Sequence, residues 1–413
     1  MDKVERLIAD VYHSSFILQG VENSAIRRTL LAIALGTETN TSKLIKANQK
    51  DIAKHDPNDP RIDRLLLNES RIKNIAKAIR TIASLPCPAG HVLQSKKLKN
   101  GLKLEKRTVP LGVVGVIYES RPNVTFDIAS LCLRSKNACL LKGSKDAEHT
   151  NKLAVAIIHE ALKKNGIPED CVGLLPPERE VLQKVFVSTK YIDVLIPRGS
   201  SSLIQHVRKN SLVPTIETGA GVCHIYVEKE ANLEKAANIV ENAKVSRPTV
   251  CNAVDTVIVD RKIVKSFLNQ LASRLSKSGV EIFAEPEAYS LLKGYPFLKK
   301  ATKENFGFEY LSLKCSIKVV ANMEEALEHI RKYSTKHSEA IISENKEVCN
   351  QFINTVDAAV VYSNASTRFT DGEEFGLGAE IGISTQKLHA RGPFALEKLV
   401  SEKWIIRGQG QTR

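Results

Sequence analysis

Short β-branched runs alternate with amphipathic helical stretches along much of this chain, and the short connections between them narrow its fold more than any other feature. Gly112–Tyr118 is an apolar run with the length and branching of a buried strand. A helix is expected near Asn123, with Val124, Ile128, Leu131 and Cys132 on one face, followed by a strand at Ala138–Leu141. Next, Ala154, Ile157, Ile158, Ala161 and Leu162 recur at helical spacing, and Asn165-Gly166 with Pro168 ends that stretch. Further strands are expected at Val172–Leu175, Asp193–Ile196 and Val213–Ile216, with helices over Glu178–Val187 and Ser201–Lys209. Strand and helix in strict alternation predict a doubly wound parallel sheet of the α/β class, because parallel neighbours need a crossover between them.

Residues before this series read differently. Up to about 85 the chain is helical, with Leu30, Ile33 and Ala34 on one face, and it is punctuated by the turn Asp56–Pro60 and by Pro86-Cys87-Pro88. Leu102–Arg107 then alternates like a half-exposed strand. A second α/β series follows Glu228. The helix Leu233–Ala243 leads to a loop containing Cys251, and the strand Val254–Val259 precedes a helix with Val264, Phe267, Leu268, Leu271 and Leu275 on one face. The strand Ile317–Val320 leads into Asn322, a helix cap with Glu325 three residues on. From about Val360 the chain is Gly-rich and polar, which suits a mobile loop or a strand arm that completes a site.

Composition removes several classes. With 413 residues and 43% hydrophobic content the chain can bury two or three cores. Eight cysteines without a C-x-x-C pair suit reduced thiols and a cytoplasmic setting. No apolar run approaches the about 18 residues of a membrane span, and the N-terminus lacks the apolar core of a signal peptide. The net charge of +14 is dispersed, with only 5% aromatic residues between the cations, so a solvated surface plus an anion pocket is expected, with no nucleic acid and no membrane partner.

Candidate chemistry centres on Cys251. It follows Arg247 and Pro248 at a loop-to-strand junction, where it serves either as a small buried hydrophobe or as a nucleophile whose thiolate the nearby cations favour. Asn123, at a helix start after a Pro-bearing turn, either caps that helix or donates an amide N–H to a developing oxyanion. Lys142, with Gly143 and Ser144, ends a strand where nucleotides sit in such sheets, although a lysine there also suits plain surface. Pro197, Arg198, Gly199 and Ser200 again end a strand and open a helix, a suitable place for phosphate oxygens. Neither common phosphate fingerprint is present, and no spaced ligand pairs suggest a metal.

Read together, the segments resemble the gamma-glutamyl phosphate reductase (glutamate-5-semialdehyde dehydrogenase) family of the aldehyde dehydrogenase superfamily. The matching pieces are P-L-G-V-V-G-V-I-Y-E-S-R-P-N-V from Pro110, P-R-G from Pro197, T-G-A-G-V-C-H-I-Y-V from Thr218, N-A-K from Asn242 with R-P-T-V-C-N from Arg247, H-S-E-A-I from His337, and the long run Asn364–Pro393. The resemblance implies an aldehyde dehydrogenase-like fold. Residues 1–228 would bind NADPH, with a strand hairpin at about 102–118 used in oligomerisation. Residues 229–358 would form a catalytic domain, and 359–413 an oligomerisation arm that returns to the cofactor domain. It implies Cys251 as nucleophile, Asn123 as oxyanion donor, and Lys142, Gly143, Ser144 and Pro197–Ser200 as cofactor contacts. Ser144 and Ser200 replace glycines usual in the family, and Val245-Ser246 replaces its Thr-Gln pair.

The implied reaction is NADPH-dependent reduction of gamma-glutamyl phosphate to glutamate 5-semialdehyde in proline biosynthesis, through a Cys251 thioester. A substrate bearing a phosphate and an α-carboxylate needs cations, and Arg121, Arg247, Lys387, His389 and Arg391 are the candidates. The resemblance further implies a homo-oligomer and association with glutamate 5-kinase. Glu217 stands thirty-four residues before Cys251 (217 against 251), where hydrolytic aldehyde dehydrogenases place a water-activating base. A non-phosphorylating aldehyde dehydrogenase and a basic binding protein with an enzyme-like fold therefore stand as rival readings.

Overall fold

The computed structural model describes residues 1–56 and 62–413. The turn expected at Asp56–Pro60 lies, beyond Asp56, outside the described residues. In chain order the first strands are β1 Val92–Lys97, β2 Lys103–Pro110, β3 Val113–Tyr118, β4 Ala138–Lys142, β5 Val172–Leu174 and β6 Val194–Arg198. Then come β7 Cys223–Val227, β8 Val254–Asp260, β9 Glu281–Ala284, β10 Leu298–Lys300, β11 Lys314–Val320, β12 Ser338–Ile342 and β13 Val360–Ser363. The last are β14 Glu380–Ser384, β15 Gly392–Ala395 and β16 Val400–Arg407. The chain divides into two compact units: 1–218 with 376–382 and 394–413, and 219–375 with 383–393.

In the first unit the parallel sheet has the order β5-β4-β3-β6. Every residue of β3 and β4 is buried, as a sheet covered on both faces requires. Val113 and Ile117 of β3 pack with Ile8 and Val11 of the helix Lys3–Gly20. That helix starts at a capping box, in which Asp2 accepts from Glu5 N and Glu5 reaches back to Asp2 N. The chain leaves β3 towards β4 on one side and reaches β6 on the other. The crevice at the carboxyl ends of β3 and β6 is thus a topological switch point.

Three sequence expectations change here. Residues 102–118 do not close as a hairpin: β2 pairs antiparallel with β1 and β16, whereas β3 pairs in parallel with β4 and β6. Residues 213–216 form no strand, because Pro214 has no N–H for a ladder. Only an isolated bridge between Leu195 and Thr215 survives. The division of the chain falls at 218 rather than 228, since β7 hydrogen-bonds to β8 and β12 and so travels with them.

The second unit holds a seven-stranded sheet of order β10-β9-β11-β8-β7-β12-β13, parallel throughout. Its strands alternate with period two between two cores. Ile225, Val257, Ile317 and Ala340 face one, while Tyr226, Ile258, Val320 and Ile341 face the other. Asn322 caps its helix as expected, accepting from Glu325 N, while the Glu325 carboxylate accepts from Ala321 N.

Two buried polar features interrupt these cores. Lys244 Nζ lies 3.4 Å from Asp255 Oδ1, both side chains almost wholly buried. Burial still pushes the Asp255 carboxyl up to about 6, so desolvation outweighs the attraction of Lys244. His329 and His337 are held neutral, since burial pulls them down to about 3 and about 4.

Replacing Lys244 by Met leaves the buried Asp255 carboxylate without its cation, with the Tyr310 N–H at 3.2 Å still bonded to it, and is expected to cost about 3–5 kcal/mol in urea denaturation, whereas Lys244→Met with Asp255→Leu recovers most of that loss. The histidines bind protons in the unfolded chain below its ordinary pKa of 6.5, but in the folded chain only near 3 to 4. Stability is therefore lost as pH falls from about 6.5 towards 4. His329→Phe is expected to gain about 2 kcal/mol on the wild type between pH 7.5 and pH 5, read from paired urea curves.

Candidate active site

In the second unit the nucleophile candidate sits in a turn, Val250–Ala253, just before β8. All eight cysteines are unbridged, and Cys251 alone is not buried. Asn252, next in sequence, is 4% exposed. Its Nδ2 donates to the carbonyls of Arg368 (3.3 Å) and Thr370 (2.9 Å), its Oδ1 accepts from Arg368 Nη1, and its own carbonyl accepts from Thr367 Oγ1 at 2.7 Å. The turn is therefore clamped by a segment far away in sequence.

Behind the turn, the Cys223 S–H donates to the Cys251 carbonyl at 3.2 Å. Burial raises the Cys223 thiol well above its ordinary range, which keeps it protonated and able to donate. His337 Nδ1 stands 3.9 Å from the Cys223 sulfur and 2.8 Å from Ser338 Oγ. Gly221 packs against the same Cys251 carbonyl, and any Cβ there would collide with it. The Gly221 N–H is held by the Glu309 carboxylate at 2.9 Å.

Of the predicted cations in this unit, Arg247 is exposed beside the turn, and its charge acts on Arg368. Lys387 and Arg391 are drawn together with Lys336 around Asp357, at 3.2, 2.7 and 2.9 Å. Hydrogen bonds from Lys336 first, and then Arg391, hold the Asp357 carboxyl well below the usual range. His389 sits nearby in sequence with a left-handed φ of 62°.

In the first unit Asn123 opens its helix but does not cap it: its Nδ2 donates to Asp127 Oδ2 at 3.0 Å. The primary amide keeps a second hydrogen for another acceptor. Burial pushes Asp127 up to about 6 despite that bond and the charge of Arg198. The turn before it is strained, with Ser120 at φ 25° and its hydroxyl bonded to Asp146 at 2.8 Å. Arg121, half-buried, is part of this turn.

Lys142 is buried at the end of β4 and donates to the Pro177 carbonyl at 2.9 Å; burial pulls its ammonium down. Beside it lies a cavity of about 500 Å³ lined by Gly143, Ser144, Asn151, Leu175, Pro177 and Glu178. That volume suits a small-molecule site, and a side chain at Gly143 would meet Asn151, so the cradle depends on glycine. The residues fit the nucleoside part of a dinucleotide. The Pro197–Ser200 turn ends β6 at the switch point. There the Ser200 N–H and hydroxyl both donate to the Glu119 carboxylate, at 2.7 and 3.0 Å. Glu217 pairs with Arg208 at 3.3 Å.

Sequence reasoning missed Asn252, Arg368, Cys223 and Asp127. Asp127 was within reach, four residues after Asn123 on the same helix face. The contact of Asn252 with Arg368 spans 116 residues and leaves no local signal.

The aldehyde dehydrogenase family model matches residues 39–287. A gamma-glutamyl phosphate reductase from Chlorobium phaeobacteroides (strain BS1) is 50% identical, with the alignment covering 100% of this chain and 99% of that protein. One from Bacteroides thetaiotaomicron is 48% identical over 98% of each. The crystal structure of the gamma-glutamyl phosphate reductase from Thermotoga maritima superposes with a TM-score of 0.95 at 40% identity, covering the whole of both chains. An acetylating aldehyde dehydrogenase from Geobacillus thermoglucosidasius shares the fold, with a TM-score of 0.72 at 16% identity. This chain therefore belongs to the aldehyde dehydrogenase family and, within it, to the gamma-glutamyl phosphate reductases, oxidoreductases that act on an aldehyde or oxo group.

Proposed function

We propose that the chain reduces gamma-glutamyl phosphate to glutamate 5-semialdehyde with release of phosphate, a step of proline biosynthesis, and that Cys251 is its nucleophile. The observation that carries this reading is the environment of that thiol: alone among eight cysteines it is not buried, in a turn clamped through Asn252 and flanked by arginines. The Cys251 sulfur bonds to the acyl carbon, and the electron pair of the carbon–oxygen bond leaves with the phosphate, giving a thioester. A bound nicotinamide dinucleotide, NADPH in this reading, supplies a hydride. Once the acyl carbon is reduced, its oxyanion collapses, the carbon–sulfur bond returns its pair to Cys251, and the aldehyde departs.

The remaining roles rest on the first unit. Asn123, its amide oriented by Asp127, donates to the developing oxyanion. Lys142, Gly143 and Ser144 hold the nucleoside part of the dinucleotide, and the Pro197–Ser200 turn lies at the switch point where its phosphates belong. Arg121, Arg247, Lys387 and Arg391 supply positive charge for the substrate's anions, and His389 a ring N–H for hydrogen bonding to them. Glu217 acts structurally, in keeping with its pairing to Arg208.

The β1-β2-β16 sheet serves homo-oligomerisation, a role supported by its exposed Val92, Leu93, Trp404 and Ile406. Association with glutamate 5-kinase would shield a labile acyl phosphate from water. No helix among the described residues is long and apolar enough to cross a membrane, and eight unbridged thiols suit the cytoplasm.

Run backwards with semialdehyde and NADP+, the purified protein is expected to require phosphate, and indifference to phosphate would overturn this reading. Cys251→Ala is expected to lower turnover by at least about 10⁴-fold while the protein stays folded by circular dichroism. Lys142→Met is expected to raise the KM for the dinucleotide about tenfold or more with little change in the KM for semialdehyde, as measured by initial rates.

A further inference from the structure

The short helical turn Thr367–Phe369 brings Arg368 to the nucleophile loop. Its guanidinium bonds to Asn252 Oδ1 and lies with Nε 3.3 Å from Ser246 Oγ, and among the described residues no carboxylate reaches it within ion-pairing distance. This contrasts with Lys387 and Arg391, which Asp357 engages directly. The charges that act on Arg368 are those of Arg247, Asp371, Cys251 and Glu374, and its half-burial already disfavours the cation. Two arginines thus stand beside one thiol, and one of them is partly desolvated with no carboxylate in direct ion-pairing contact among the described residues. A cation in that state gains more than a solvated one from an anion that arrives.

The segment is also held by hydrogen bonds from outside it. Asn252 binds the carbonyls of Arg368 and Thr370, and Thr370 Oγ1 is in turn bonded to Ser338 Oγ at 2.7 Å and to Tyr362 OH at 2.9 Å. The chain at Arg368 and Thr370 is therefore tied by hydrogen bonds to Asn252, Ser338 and Tyr362.

We propose that Arg368, oriented by Asn252, receives the phosphate group that leaves the acyl carbon attacked by Cys251, with Asn252 as its positioning residue. This rests on the reaction proposed above. Phosphate is the favoured anion because it is bonded directly to the attacked carbon, whereas the α-carboxylate lies at the far end of the substrate. As the carbon–oxygen bond breaks, its electron pair goes to the phosphate oxygen, and the guanidinium N–H groups hydrogen-bond to it without giving up a proton.

The test runs the reaction backwards with semialdehyde, NADP+ and varied inorganic phosphate. Arg368→Gln is expected to raise the KM for phosphate at least about tenfold while the KM for NADP+ and for semialdehyde move less than about twofold. Arg368→Lys is expected to restore part of the phosphate affinity, and Asn252→Ala to weaken it in the same selective way. A second readout does not need turnover: inorganic phosphate is expected to slow alkylation of Cys251 by iodoacetamide, followed by peptide mass, in the wild type but not in Arg368→Gln.

Unchanged phosphate KM and unchanged protection in Arg368→Gln would overturn the assignment, as would a KM increase confined to semialdehyde, which would place the α-carboxylate on Arg368. If the wild type turns over without phosphate, the reaction proposed above fails. The alkylation arm still decides whether Arg368 binds phosphate beside Cys251.

Discussion

A buried primary amide must place its two hydrogens and its carbonyl oxygen, and Asn252 places all of them on the segment 368–370. That single side chain ties the turn before β8 to the Gly-rich region that follows β13. Much of the chemistry assigned to the second unit depends on this tie. It sets where the Cys251 carbonyl lies relative to Cys223, and it fixes which cation stands beside the thiol. Gly221 and Glu309 complete the clamp from the other side, by close packing and by a hydrogen bond.

Two cysteines in one strand-end neighbourhood are used in opposite ways. Cys223 is sealed in, kept as a thiol by burial, and spends its S–H on a backbone carbonyl. Cys251 is partly exposed, with two arginine charges nearby. His337, 3.9 Å from the Cys223 sulfur, adds no positive charge at neutral pH, because burial holds it in the neutral form. Arg247 and Arg368 beside this turn carry guanidinium groups, which keep their charge at any physiological pH.

In the first unit, the ladders of a sheet whose central strands β3 and β4 are wholly buried pair the backbone between neighbours, so polar chemistry collects where strands end. Lys142 at the end of β4 and Arg198 at the end of β6 follow from that rule, with Glu119 between them at the end of β3. The Glu119 carboxylate already satisfies the Ser200 N–H and hydroxyl, so the turn is ordered by the protein itself. Gly143 keeps the neighbouring cavity open by lacking a side chain.

Local periodicity alone carried the α/β class, the order of most strands and helices, and the placing of Cys251, Asn123 and Lys142 at element boundaries. Period two and period 3.6 are properties of neighbouring residues, and motif order along the chain pointed to the family. Short strands such as β9 and β10 were not legible, and 213–216 looked like a strand until Pro214 broke the ladder. Which sheet a strand joins was likewise not legible: β2 and β3 are separated by only Leu111 and Gly112, yet they pair with different partners. The clamp on Asn252, the sealing of Cys223 and the desolvation of Arg368 were decided only by the tertiary structure. Each depends on residues brought together across long loops, and burial of a polar group is a property of the packed chain, with no counterpart in the string of residues.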